Sequence, residues 1–211
     1  MLDDTEYVKI FVALLAVINP LGALSIFIAL TPGKEKAARK KIAKIAAFSA
    51  TLILLMALIA GEWILEIFGI SVSSFRVGGG ILILLMAISM LQAELSPTVQ
   101  TKEEAKESNK KHDIAVVPLA TPLLAGPGGI STVVVEAYKG TNLGHELLLG
   151  LIIIIIGFCL WMALHLAPLI SQRLSVTGIN IFTRIMGLIL AAIAVEIIAN
   201  GLKGLFPALA G

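Results

Sequence analysis

Charge is what this chain has least of. Only 14% of its 211 residues are Asp, Glu, Lys or Arg, against about 25% in an ordinary soluble domain. Cysteine is nearly absent too. The single Cys159, set inside the apolar run 147–164, can form no intramolecular disulfide, which excludes a secreted disulfide scaffold; it reads as a small core hydrophobe. The first six residues are acidic and lack the basic start of a signal peptide, so the first apolar run is expected to be retained. No apolar segment alternates with a period of two, which excludes a transmembrane β-barrel. What fills the chain instead is hydrophobic side chain, 58% of residues, with a mean hydropathy of +0.98. A soluble domain of this length cannot bury that much Leu, Ile, Val and Ala. A soluble enzyme and a nucleic-acid binder are thereby excluded, and the net charge of +2 points to no charged partner. The chain reads as all-α and polytopic, with the lipid bilayer as its solvent.

Runs of about 20 apolar residues bounded by charge mark membrane-spanning helices. Six are found, at 9–30, 43–68, 70–92, 116–138, 146–170 and 179–202. Basic residues set their orientation. Lys34, Lys36, Arg39, Lys40, Lys41, Lys44, Lys102, Lys106, Lys110, Lys111 and Arg173 fall on the first, third and fifth connections. Lys9, Lys139 and Lys203 fall on the other side, with Arg76 just inside a span. The odd connections are therefore expected in the cytoplasm and both termini outside the cytoplasmic membrane. The one long polar segment, 93–115, reads as a solvated linker between two halves of a single domain, 7–92 and 116–204, within 1–211.

The halves echo one another. Pro20-Leu21-Gly22 matches Pro127-Gly128-Gly129 at an offset of 107; Arg76 with Gly79 matches Arg184 with Gly187 at 108; Gly69-Ile70 matches Gly178-Ile179 at 109. Each half holds three spans, an odd number, so the second copy must cross the membrane in the opposite direction. Two inverted three-helix repeats are an architecture of transporters that open alternately to two sides.

Both halves carry a break near the middle of their first span. Proline removes an amide donor and glycine loosens the backbone, so helices 1 and 4 are expected to be discontinuous, around Asn19-Pro20 and Gly126-Pro127. Asn19 reads as an N-cap with Pro20 at the first helical position, and Gly126 with Pro127 repeats the arrangement. A helix start at midplane depth offers amides and a positive dipole end to a carboxylate. Carbonyls of the preceding turns, around Val17–Ile18 and Leu123–Ala125, could receive an ammonium group. A small zwitterion suits such a site. The expected lining is Asn19, Pro20, Gly22, Ser25, Thr121, Gly126, Pro127, Gly129, Ser131 and Thr132, small enough for backbone to approach a ligand closely.

NPLGALSIFIALT from Asn19 to Thr31, together with PLATPLLAGPGGIST from Pro118 to Thr132, resembles the MarC family of bacterial and archaeal membrane proteins over essentially the whole chain. Ser25 and Gly129 stand where family members often carry another small residue or proline. The resemblance implies a transporter of small neutral amino acids such as glycine and alanine.

Ionisable residues within spans are functional candidates by default. Glu196 could carry a proton or pair with Arg76. Arg76 and Arg184 lie near span ends, where snorkelling or acidic partners explain them; Glu62 and Glu66, four apart, are candidate partners for Arg76. His165 stands alone, without the neighbours a metal site needs. The Gly78-Gly79-Gly80 run reads as a close helix contact. No metal or other cofactor is expected, while H+ or Na+ coupling stays open, as do oligomeric state and direction of transport. Other solutes, a channel, or a rhomboid-like serine protease using Ser131 and His165 are the alternatives. Depth argues against the protease: Ser131 falls about 4 Å on one side of the midplane and His165 about 10 Å on the other, whereas nucleophile and base must lie within about 3 Å.

Overall fold

A computed structural model describes residues 3–31, 33–92, 124–140, 142–167, 169 and 176–210. Every regular element among them is helical: α1 (Asp4–Ile18), α2 (Pro20–Leu30), α3 (Lys36–Ile67), α4 (Val72–Gln92), α5 (Pro127–Ala137), α6 (Leu143–His165) and α7 (Val176–Leu205), followed by a short 3-10 turn, Pro207–Ala210. Five helices among the described residues are long and apolar enough to cross a bilayer: Asp4–Leu24, Lys36–Ile67, Val72–Gln92, Leu143–His165 and Asn180–Leu205. The fourth expected span, 116–138, is described only from residue 124. The helix described within it, α5, has 11 residues, about 16 Å against a hydrocarbon core of about 30 Å.

Helix ends depart from the apolar limits where good helix formers carry charge. α3 begins at Lys36, seven residues before the apolar run, because Lys, Arg and Ala propagate a helix as well as Leu does. Hydropathy marks where lipid starts, not where the helix does.

Small residues set the helix contacts. α4 and α7 run antiparallel along their lengths. A methyl on Gly187 would meet Met90 Cβ at 3.0 Å and the Ala87 carbonyl at 3.1 Å, one on Gly80 would meet the Ala194 carbonyl at 3.2 Å, and one on Gly201 the Ser73 carbonyl at 3.0 Å. Without hydrophobic drive between helices in lipid, such close backbone approach supplies the dispersion energy that holds them. α3 and α6 are antiparallel in the same way: Gly157 faces Thr51, and Gly150 faces Leu55 and Leu58. Thr51 turns its hydroxyl back to the Ala47 carbonyl at 2.8 Å, so the contact leaves no stray donor.

α5 is the most enclosed element. Gly128, Gly129 and Ser131 through Val135 are all buried. It packs on α1, α3, α4 and α6. One cluster of buried side chains joins α1, α2, α3, α5 and α6. A second joins α1, α4 and α7. α1 contributes to both, so the bend at its end lies where the clusters meet.

Candidate functional site

The chain bends at Asn19. Its φ of 47° is the one positive φ at a non-glycine position among the described residues. Asparagine tolerates this left-handed conformation better than most residues. Its Oδ1 accepts the Gly22 amide at 3.1 Å, and Pro20 takes the first helical position of α2. Backbone bonds bracket the bend: the Asn19 amide donates to the Leu15 carbonyl and the Ala23 amide to the Asn19 carbonyl, both at 3.0 Å. Between them, acceptors of α1 lose their regular donors. Pro20 has no amide for Ala16, and the Gly22 amide is turned from Ile18 to the Asn19 side chain. A methyl on Gly22 would overlap that side chain, so glycine is required for the cap to form.

The Gly126-Pro127 stretch has a different local chemistry. Gly126 is extended, with φ −73° and ψ 175°, and caps α5 without a side chain; Pro127 follows at the first helical position. The Ile130 amide donates to the Gly126 carbonyl at 3.1 Å, and the Thr132 hydroxyl to the Gly128 carbonyl at 2.8 Å. Leu124, Ala125 and Gly126 are buried, whereas Pro127 is exposed.

These two stretches lie side by side. A methyl on Gly128 would stand 3.4 Å from Val17 Cγ1, and one on Gly129 3.9 Å from Ile18 Cγ1. α4 closes the same region. Gly79 opposes the Ser131 side chain so closely that a methyl there would overlap its hydroxyl, and Asn19 Nδ2 points at Met90 Sδ, 3.7 Å away. Asn19, Pro20, Gly22, Gly126, Gly129, Ser131 and Thr132 thus belong to one neighbourhood. Thr121 and the side chain of Ser25 lie outside the described residues.

The charged candidates stand apart from it. Glu62, Arg184 and Glu196 are exposed and Arg76 is half-buried. The Arg76 Nε, though shielded, has no hydrogen-bond partner among the described residues. The side-chain ion pairs found among them are Lys9–Glu6 at 2.7 Å and Lys139–Glu136 at 2.8 Å; none joins Arg76 to Glu196, Glu62 or Glu66. No cluster of three His, Cys, Asp or Glu side chains suitable for a metal occurs among the described residues.

Ser131 and His165 form no dyad. Ser131 sits between Gly129, which faces Leu54, and Val134, which faces Gly61. His165 ends α6 against the Trp161 ring, 5.2 Å between centroids, upwards of about 15 Å away along the bundle by the α3–α6 register.

A buried polar junction has no counterpart in the sequence reading. His145, at 0% exposure, joins Tyr7 Oη at 3.0 Å and the Glu136 carbonyl at 2.9 Å. It ties together the ends of α1, α5 and α6 that lie away from the breaks. Its one sequence signal is a polar triplet, Gly144-His145-Glu146, opening an apolar helix.

The MarC model, described as MarC family integral membrane protein, matches residues 5–206. The chain belongs to the MarC family. Among its relatives, the UPF0056 membrane protein BU267 of Buchnera aphidicola from Acyrthosiphon pisum is 44% identical over 207 residues, 98% of this chain and 96% of that one. The UPF0056 membrane protein YhcE of Escherichia coli is 41% identical, with the same coverage. In Methanocaldococcus jannaschii, the UPF0056 membrane protein MJ1677 is 38% identical over 203 residues, 96% of this chain and 98% of that one. No solved structure matches the chain. As a MarC protein it is an integral, multi-pass membrane protein, and the match includes Asn19-Pro20 and Gly126-Pro127.

Proposed function

We propose that this MarC protein is a secondary transporter of small neutral amino acids, of glycine or alanine size, that works by alternating access. The observation that carries the reading is the meeting of the two breaks: the first turn of α5 lies against Val17 and Ile18 at the end of α1. A carboxylate would be received by amides at the start of α2 and α5, favoured by the positive ends of their dipoles. The ammonium group would go to the Ala16 and Ile18 carbonyls, which have lost their regular donors. Ser131 and Thr132 add hydroxyl oxygens. Gly126, Gly128 and Gly129 keep the space small, which favours a substrate with little or no side chain.

Two packing relationships support the inverted repeat. α4 packs antiparallel on α7 and α3 on α6. Each of these pairs joins equivalent segments of the two halves, as a two-fold axis in the membrane plane would require. Such pairs can rock against one another around a fixed site. In this reading both termini lie outside the cytoplasm, and H+ or Na+ is the coupling ion.

The test is uptake of labelled alanine and glycine into proteoliposomes holding the full chain, with and without imposed proton or sodium gradients. Saturable uptake is expected, inhibited by either amino acid in excess. Folded protein that moves neither would sink the amino acid reading. Uptake that never saturates would favour a channel instead.

A further inference from the structure

One exposed face of α3 changes character along its length. Lys41, Lys44, Phe48, Leu52, Met56, Ile59 and Trp63 follow one another at spacings of three or four residues and are all exposed. That spacing places them on a single side of the helix. The opposite side, with Ala43, Ala46, Ala47, Ala50, Leu54, Gly61 and Leu65, is buried. From Phe48 to Trp63 the face is apolar and suits acyl chains. Lys44 and Trp63 are nineteen residues apart, about 28 Å at 1.5 Å per residue, close to the thickness of the hydrocarbon core. Trp63 thus reaches one interface, where tryptophan collects. Lys44 and Lys41 reach the headgroups at the other.

Positive charge dominates there: over residues 34–44, six Lys or Arg stand against one acidic residue, Glu35, the N-cap of α3, which makes no side-chain cap hydrogen bond. Lys36, Lys40, Lys41 and Lys44 are exposed, and no ion pair engages any of them among the described residues. The first turn of α3 has no acidic residue, so the helix dipole adds positive potential rather than offsetting it. Arg39, on the same turns, holds a shielded Nε without a hydrogen-bond partner. Six cations opposed by one carboxylate leave a net positive field at this helix start, which an anion beside it would relieve.

We propose that this end of α3 is a binding site for an anionic phospholipid of the adjoining leaflet. Lys41 and Lys44 hold its phosphate, Lys40 flanks it, and an acyl chain lies along Phe48, Leu52 and Met56. Charge complementarity selects the headgroup, and the unbroken passage from lysine to apolar side chain selects a lipid over a free anion. The antiparallel register of α3 and α6, fixed where Gly157 faces Thr51, brings Trp161 and His165 to the same depth, so an aromatic residue marks this interface too. The site does not depend on what the protein transports.

The experiment uses full-length protein in nanodiscs of equal phosphatidylglycerol and phosphatidylcholine. The lipids retained on release are counted by native mass spectrometry. Wild type is expected to retain phosphatidylglycerol about tenfold over phosphatidylcholine. Lys40→Gln/Lys41→Gln/Lys44→Gln should bring the ratio close to one, whereas Lys9→Gln/Lys139→Gln/Lys203→Gln at the opposite end should leave it high. Equal retention by wild type overturns the proposal, as does enrichment that survives in the Lys40/Lys41/Lys44 variant; loads that fall alike in both variants would mean diffuse charge attraction and overturn it too. Should the variant not fold, wild type equilibrated with the mixed lipids at about 0.1 M and about 1 M salt decides the matter. Screening contracts from about 10 Å to about 3 Å over that range, so enrichment must fall, and salt-insensitive enrichment overturns the site.

Discussion

Tyr7 Oη lies 3.0 Å from Nδ1 of His145, joining residues 138 positions apart in the chain. The other ring nitrogen is 2.9 Å from the Glu136 carbonyl. A carbonyl only accepts, so in the neutral ring Nε2 carries the proton and Nδ1 accepts from the tyrosine hydroxyl. Both ring nitrogens are therefore satisfied inside a site closed to solvent. Tyr7→Phe strands Nδ1 as a buried acceptor, at a cost of about 1–3 kcal/mol. His145→Gln keeps a donor and an acceptor and should cost less, while His145→Leu should cost more than either. Thermal unfolding in detergent reads the order; Tyr7→Phe unfolding like wild type would dismiss the bond.

Asn19 combines a left-handed backbone with a side-chain cap. Asn19→Ala loses the cap and meets the full steric penalty at φ 47°, together about 1–3 kcal/mol. Asn19→Gly keeps the backbone free and loses mainly the cap, so it should be the milder change. Equal unfolding midpoints for the two would show that the torsion contributes nothing.

Gly79 and Ser131 meet too closely for a methyl. Gly79→Ala should destabilise by about 1–3 kcal/mol, as overpacking does. Because the Ser131 Cβ would also be overlapped, Ser131→Ala should not relieve the strain. Ser131→Gly should relieve most of it. A double-mutant cycle of unfolding free energies measures the coupling, and strictly additive effects would place the two residues apart.

Pro20→Ala and Pro127→Ala test the breaks themselves. Each should lower alanine uptake about tenfold, or ~1.4 kcal/mol in the barrier, while leaving the unfolding midpoint within a few degrees of wild type. Wild-type rates in both would remove the broken helices from the mechanism.

Local chemistry was readable before any coordinates. Asn19 followed by Pro20 announces a cap and a helix start, and both are present because each depends on neighbouring atoms. Long apolar runs announce helices because lipid leaves the backbone no other partner. Contacts across the fold were not readable. Nothing in residues 143–146 names Tyr7, and the lone histidine that drew attention was His165, which rests on Trp161. Charge pairing was not readable for a related reason. Arg76, Glu62 and Glu196 share a depth range in the sequence, but pairing also requires facing directions, which depend on how α4 and α7 settle on their glycines. The length of α3 escaped because hydropathy cannot see a helix that continues into water.

Proline at position 20 also acts backwards. Its ring crowds the residue before it and disfavours the right-handed helical conformation there; Asn19 stands at φ 47°, about 110° from the helical value. Hydrogen bonds already bracket the bend, from Asn19 to Leu15 and from Ala23 to Asn19. The two rods α1 and α2 therefore share a single torsional joint, and one ring holds it bent. Pro20→Ala removes that restraint and lets the rods straighten into one helix with a regular ladder. The carbonyls of Ala16 and Ile18 would then recover their own amides and have nothing left to offer a ligand.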